Sequence, residues 1–329
     1  MTNTQRKQKR ISIVNFKGGV GKTTLALHLA TGLATYGESE VLLVDVDHQS
    51  TLSLICLGGR RWDAAVGAGK TVDAIFQHFV SQNKPMPGVD IISKRPYSTG
   101  SNAWNYGGAP PKLDLVPSTL ELDETELDLS STTVGNAIES EWAKRSLICE
   151  WIDKNNIASQ YDYVIFDCPP ATKLVTQNAI AASHGFIIPV IPEAVSVRGV
   201  PHLISRVMTK IDKKFEGLSQ YLSTKGYPIQ QSYVPVAKLV GIVISMIIVS
   251  GRARSGYTSD QTTHLESLKR DYPTEIVEPY IVHGVGVPEA LSGGYPVYPL
   301  SNWQNIRNRD FVDKFRELTD ALKARIDAL

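Results

Sequence analysis

Cysteine is scarce in this chain: Cys56, Cys149 and Cys168 are the only three in 329 residues, and no C-x-x-C pair occurs. That excludes a zinc ribbon, a cysteine-held iron–sulfur motif and a thioredoxin-like redox pair, and a sparse, odd count suits a reducing compartment. Long hydrophobic runs are also missing. The longest, Leu239 to Val249, is far short of the about 20 apolar residues that a membrane-spanning helix needs. Its β-branched content reads as a strand buried on both faces. An excess of charge of either sign is lacking too, with 34 Lys+Arg against 33 Asp+Glu and a net charge of +1. Attraction to nucleic acid by bulk charge is therefore excluded, and any such contact must come from a local patch. There is no internal repeat, no extended low-complexity run and no export-type leader: Arg6, Lys7, Lys9 and Arg10 make a basic start without an apolar segment behind it. A cytoplasmic protein is expected.

With 42% hydrophobic and 20% charged residues, the chain has ample material for a large core. Short apolar runs rich in β-branched residues alternate with helical periodicities. Strands are predicted at Ile11 to Asn15, Val41 to Asp45, Leu113 to Val116, Tyr163 to Asp167, Phe186 to Ile191, Leu239 to Ile248 and Ile276 to Val282. Helices are predicted at Lys22 to Tyr36, Val72 to Val80, Thr176 to Ala182, Ser196 to Lys214, Thr262 to Arg270 and Asn302 to Ile326. This order specifies an α/β fold, a doubly wound, mostly parallel sheet with helices on both faces and ligands at the carboxyl ends of the strands. Two stretches break the rhythm. Gly58 to Ser140 carries Gly, Pro and Ser clusters with Trp104 and Tyr106, and Phe215 to Lys238 separates a helix from the next strand.

Between the first strand and the first helix lies Lys17-Gly18-Gly19-Val20-Gly21-Lys22-Thr23-Thr24. Glycines let backbone N–H groups wrap a phosphate, and the helix start adds a positive dipole end. Lys22 is placed to reach the β- and γ-phosphates of a nucleotide, with the Thr23 hydroxyl on Mg²⁺. The ordinary GxxxxGK[ST] pattern fails, because its first glycine position holds Phe16. The match is to the deviant form KGGxGK[ST], with a second lysine at Lys17.

Other segments extend the match. Val44-Asp45-Val46-Asp47-His48-Gln49-Ser50 resembles a switch I of type D-x-D-P-Q, with His48 in place of proline. Tyr163 to Pro170 resembles a Walker B and switch II, Leu113 to Ser118 an LDLLPA segment, and Pro189 to Glu193 a P-V-x-P-E strand end. On these residues the chain resembles the ParA/MinD superfamily of deviant Walker-A P-loop ATPases, most closely its ParA partition branch. The resemblance runs from about residue 10 to 325 outside the two insertions. Near Ile281, Glu289 and Ala290 it departs from the family's I-P-R-N pattern, since Val282 and His283 replace Pro and Arg.

The basic start reads as a flexible tail over residues 1–10, followed by a single domain over 11–329 with insertions near 58–140 and 215–238, and the resemblance makes that domain an ATPase. It implies ATP/ADP and Mg²⁺ as cofactors, with hydrolysis slow until a ParB-like or other adaptor stimulates it. Gly18, Gly19, Val20, Gly21, Lys22, Thr23 and Thr24 would hold the phosphates, and Lys17 would cross to the partner subunit in an ATP-dependent sandwich homodimer. Asp47 would act in hydrolysis. Thr23, Asp45 and Asp167 would serve the metal. Ser245, Met246, Val282 and His283 would surround adenine. Arg252 and Arg254 fall where the family carries DNA-binding arginines, so non-specific DNA and a nucleoid-associated location are expected. No helix-turn-helix segment precedes residue 10, and base-specific reading is not expected.

The implied function is partition or positioning of a cargo, whether a plasmid, a chromosome region or a protein complex. A MinD-like membrane cycler is the alternative, but the last helix mixes Asp310, Asp313, Glu317, Asp320 and Asp327 into its polar face, so packing on the sheet and no membrane contact are expected. An electron- or metal-delivery ATPase resembling the nitrogenase iron protein would need cluster-bridging cysteines, for which only Cys168 in switch II is suitably placed.

Overall fold

Alternating side chains on each strand face two separate apolar layers, and this doubles the demand for covering helices. In the computed structural model, which describes residues 8–96, 112–250, 256–298 and 309–329, the strands are β1 (Lys9–Ile13), β2 (Val41–Asp45), β3 (Leu113–Val116), β4 (Tyr163–Asp167), β5 (Gly185–Val190), β6 (Lys238–Ile244) and β7 (Ile276–Val277). They form one seven-stranded sheet in the order β3-β2-β4-β1-β5-β6-β7, and every pairing is parallel. Leu42, Val44, Val164, Phe166, Ile188 and Ile242 point into one core, while Val41, Leu43, Ile165, Ile187 and Val243 point into the other. Parallel strands buried on both faces require this near-continuous apolar composition.

The helices are α1 (Lys22–Thr35), α2 (Thr51–Leu57), α3 (Gly59–Gly67), α4 (Asp73–Ser81), α5 (Leu122–Ser131), α6 (Ala137–Ala143), α7 (Leu147–Lys154), α8 (Leu174–Ala181), α9 (Ala194–His202), α10 (Thr209–Thr224), α11 (Ser259–Asp271), α12 (Gly286–Ser292) and α13 (Arg309–Asp327). Leu25, Leu29 and Leu33 of α1, with Phe311, Phe315, Leu318, Leu322 and Ile326 of α13, cover one face. Helices α4, α7, α8, α10 and α11 cover the other through Phe76, Trp151, Ile180, Phe215 and Leu268. Arg325 of α13 donates to the carbonyls of Val240, Glu275 and Ile276, which pins that helix to the β6–β7 edge.

Several expectations need correction. The basic start does not extend to residue 10 as a tail: Gln8 and Arg10 are buried, and Lys9 opens β1. Arg10 donates to the Ala182 and Ser232 carbonyls and to Gln8, so its charge serves the interior rather than a surface. The second insertion begins later than Phe215, because α10 runs to Thr224 and buries Phe215 and Leu222. The helix predicted from Ser196 starts at Ala194 and passes through a π-helical segment, Leu203–Met208, just after Pro201, whose missing N–H loosens the ladder there.

Further differences lie at strand ends and in the first insertion. Strand β7 stops at Val277 because Pro279 cannot donate to the ladder, and pairing resumes only as a bridge between Ile247 and Val282. Within the described part of 58–140, helices α3, α5 and α6 appear besides α4. Among them α3 fully buries none of its residues, and Trp62 is its partly buried contact with the core. The last helix is described from Arg309; its expected start at Asn302 lies outside the described residues, as do Trp104 and Tyr106.

Helix α1 approaches α13 at Gly32, where a Cβ atom would lie 2.5 Å from Thr319 Oγ1 and 2.7 Å from the Tyr298 hydroxyl. Alanine favours helices over glycine by about 1 kcal/mol, yet overpacking costs about 1–3 kcal/mol. Gly32→Ala is therefore expected to lower the urea midpoint despite its better helix propensity.

Candidate functional site

The chain crosses from one half of the sheet to the other around β1, and the carboxyl ends of β1, β2, β4, β5, β6 and β7 converge at that switch point. The loop after β1 is built for close approach. Gly19 and Gly21 have φ of 72° and 87°, a region open to glycine at no steric cost. Val20 is fully buried and anchors the loop, and its carbonyl accepts the Ser245 hydroxyl at 2.8 Å. Asn15 braces the other side, donating to the Pro189 carbonyl at 2.7 Å and accepting the Lys17 amide at 3.0 Å.

The two lysines of the loop occupy different environments. Lys22 is buried and donates to the Lys17 carbonyl at 3.1 Å. Burial pulls its ammonium pKa down, while the Asp167 and Asp47 carboxylates oppose the shift. Lys17 is about one-third exposed at the mouth of the site, where its ammonium pairs with Glu193 ahead of α9. Phe16, at the position of the absent glycine, packs its ring against His202 at the end of α9.

Asp45 and Asp167 end β2 and β4 as direct neighbours in register. Both are buried, and both carboxyl pKa values are raised, by burial first; for Asp167 the charge of Asp45 comes next. Their hydrogen bonding separates them. Asp45 accepts the Asp47 amide at 3.1 Å, the Ser53 amide at 2.9 Å and the Ser53 hydroxyl at 2.6 Å. Neither carboxylate oxygen of Asp167 has a partner at full hydrogen-bond geometry, although both are buried; the Thr23 hydroxyl lies close enough to oppose the rise in its pKa. An unpaired buried carboxylate is costly, and a hard divalent cation with oxygen ligands fits it. Thr23 and Asp167 are thus the residues suited to hold Mg²⁺. Asp45 is the more engaged of the two carboxylates, since the Asp47 amide and the amide and hydroxyl of Ser53 in α2 already bond its oxygens. Among the described residues no three His, Cys, Asp or Glu side chains converge as a metal site. A cation here would need oxygens from Thr23 and from a phosphate as well. The three cysteines are buried thiols.

Asp47 stands one step further out, half-buried, with Oδ1 accepting the Gln49 amide at 3.0 Å and lying 3.8 Å from His48 Nδ1. Ser245, Met246, Val282 and His283 all line a cavity of about 200 Å³ that opens beside Gly21 and Thr24. Met246 holds φ at 54°, uncommon for a side chain of its size and fixed by the strand end. Phe315 of α13 and Val287 close the cavity from below. Arg252 and Arg254 lie outside the described residues. The flanks of that segment pair through Val249 and Tyr257, and Ile248 and Val249 are exposed. Sequence reasoning assigned no role to Ser53, Asn15 or Glu193. A hydroxyl eight residues after Asp45, in the first turn of a helix, was the available signal for Ser53.

A parallel sheet with a phosphate-type loop, two lysines and two strand-end carboxylates defines a P-loop nucleotide-binding protein of the deviant Walker-A kind. Known proteins share these features. A family model described as an AAA domain matches residues 8–219. The sporulation initiation inhibitor protein Soj of Bacillus subtilis is 28% identical over 289 residues, covering 88% of this chain and 90% of Soj. The chromosome partitioning protein ParA of Caulobacter vibrioides is 26% identical over 288 residues, covering 87% of this chain and 85% of ParA. The structure of a Cyanothece McdA variant in complex with ATP superposes with a TM-score of 0.63 at 18% identity, over 96% of this chain and 97% of that one. The chain belongs to the ParA/MinD superfamily of deviant Walker-A ATPases, on its ParA branch.

Replacing Asp167 by Asn removes one of two adjacent buried carboxylates. Without nucleotide, Asp167→Asn is expected to raise stability by about 1–2 kcal/mol in urea denaturation. Mg²⁺ with ATP should stabilise the parent protein and leave the variant almost unmoved.

Proposed function

We propose that this protein is a partition ATPase: it binds Mg·ATP on the Lys17–Thr24 loop, pairs with a second copy face to face, binds DNA without sequence preference, and positions a cargo through an adaptor that accelerates hydrolysis. The observation that carries the reading is the division of labour between the two loop lysines. Lys22 is buried toward the carboxylates, whereas Lys17 sits at the rim, paired with Glu193. A rim lysine contributes little to its own subunit's site. It is well placed to neutralise a phosphoryl group across a dimer, where charge development in hydrolysis is greatest.

The remaining roles follow from position. Thr23 and Asp167 would hold Mg²⁺, which supplies charge neutralisation on the phosphates when bound. Asp47, outside the buried pair, would orient the attacking water. The cavity lined by Ser245, Met246, Val282 and His283 would take the base, with little base-specific hydrogen bonding from its mostly apolar walls. The Cyanothece McdA structure contains ATP, which supports the nucleotide assignment. The apolar stripe of α13 is spent on the sheet, and no helix among the described residues is long and apolar enough to cross a membrane. With its apolar face buried, α13 is not free to lie on a membrane surface, so DNA would be the surface of the cycle and the nucleoid its site of action.

Lys17→Ala should keep nucleotide affinity and lose both hydrolysis and the ATP-induced dimer. Light scattering with ATP checks this, and a variant that dimerises like the parent refutes the trans role. Asp47→Ala should load Mg·ATP, accumulate as dimer, and turn over about 10²-fold more slowly.

DNA binding should require ATP, because a subunit of net charge +1 has little affinity alone. Joint replacement of Arg252 and Arg254 by alanine should weaken binding on all sequences alike and flatten its salt dependence, since fewer counterions are released. Filter binding across a salt series measures both effects, and affinity that is independent of nucleotide or of the two arginines removes this surface from the assignment.

A further inference from the structure

The hydrolytic loop after β2 is held by a residue that lies outside every recognised motif. Helix α2 begins after Ser50, whose side chain makes no cap to the first turn. The first-turn amide of Ser53 instead donates to Asp45 Oδ2, so a strand-end carboxylate caps the helix from across the loop. The Ser53 hydroxyl donates to the same oxygen at 2.6 Å and accepts the Ser118 amide at 2.8 Å. Ser118 follows β3, and its carbonyl receives the Trp62 indole N–H of α3 at 2.9 Å. On the other side, Asp45 Oδ1 takes the Asp47 amide. Asp45, Ser53 and Ser118 are each 0% exposed. These bonds therefore operate without competition from water, where a charged acceptor makes them strongest.

We propose that Ser53 is a positioning residue for hydrolysis: its hydroxyl, seated by the Ser118 amide, holds Asp45 so that Asp45 in turn fixes the backbone of Asp47. This deepens the reading above and rests on Asp47 as the water-orienting group. It also gives the 58–140 segment a role, because α3 and the end of β3 become the backing against which the loop is set. Ser53 is fully buried behind Asp45, with Asp45 and Ser118 as the partners of its hydroxyl. Its effect is on where the Asp47 carboxylate stands, and that matters in the transition state more than in nucleotide binding.

The test compares turnover at saturating Mg·ATP with equilibrium ATP affinity in the full chain. Ser53→Ala removes the hydroxyl, and Ser53→Cys keeps its size but donates weakly, which guards against loss of fold. Both should lower turnover about tenfold, the scale of one lost charge-assisted bond, with affinity changed by less than about twofold. Ser53→Thr, which keeps the hydroxyl, should restore turnover. In an Asp47→Ala background Ser53→Cys should cost nothing further, because it acts through Asp47. Parental turnover in Ser53→Cys, alongside an inactive Asp47→Ala, overturns the proposal and leaves the Asp47 assignment standing. An equal loss of affinity and rate also overturns it, by marking Ser53 as a general structural support. Normal turnover in Asp47→Ala defeats the underlying reading itself, and that result is seen without any Ser53 variant.

Discussion

Asp45 and Asp167 end adjacent parallel strands in register, so the sheet itself forces two carboxylates into one dry pocket. Much of the site answers that constraint. Lys22 is drawn in as the opposing cation. One carboxylate is satisfied by the protein, through Ser53 and the Asp47 amide, and the other is left with unpaired oxygens facing Thr23. An apolar replacement of the pair would pack more cheaply. Burial and neighbouring carboxylate charge raise both carboxyl pKa values, so a cation entering beside Thr23 would relieve the pair, and the loop carrying Asp47 is tied to the same electrostatic centre through Asp45.

The phosphate loop is held from two directions. Ser245 and Asn15 fasten it to the ends of β6 and β5. From below, α1 is locked to the C-terminal part of the chain by His28. That fully buried imidazole donates from Nδ1 to the Thr24 carbonyl at 2.6 Å, accepts the Val297 amide on Nε2 at 3.1 Å, and stacks on Phe315 with ring centroids 4.0 Å apart. Burial pushes its pKa down to about 4, so it stays neutral at physiological pH and can serve as donor and acceptor at once. Phe315 also walls the cavity beside the loop, so α13 supports both the start of α1 and that cavity.

The parallel sheet, its strand cores and the phosphate loop were legible in the chain because each depends on local pattern: period-two burial, helical spacing, and glycines at fixed offsets. The strands Val41–Asp45, Leu113–Val116 and Tyr163–Asp167 have the ends that the sequence predicts. Elsewhere, local pattern misled. Arg10 reads as part of a solvated basic start, yet carbonyls more than a hundred residues away receive its guanidinium. Helix α3, a nine-residue segment between glycines, was not predicted although Trp62 packs from it against the core.

The sequence by itself determined the class of protein, because a loop that wraps phosphate with backbone N–H groups must be written in consecutive residues. Only the tertiary structure decided how the acidic residues divide their work. Asp45 and Asp167 look alike as strand-end aspartates, and what separates them is that the Asp47 amide and Ser53 of α2 bond Asp45, whereas the Asp167 oxygens have no partner at full hydrogen-bond geometry. The partners that set the loop, Ser53 with Ser118 and Lys17 with Glu193, follow the carboxyl ends of four different strands. Partners such as Ser118 and Glu193 are brought in by the register of the sheet, across 65 residues in the case of Ser53 and Ser118, and no local spacing encodes them.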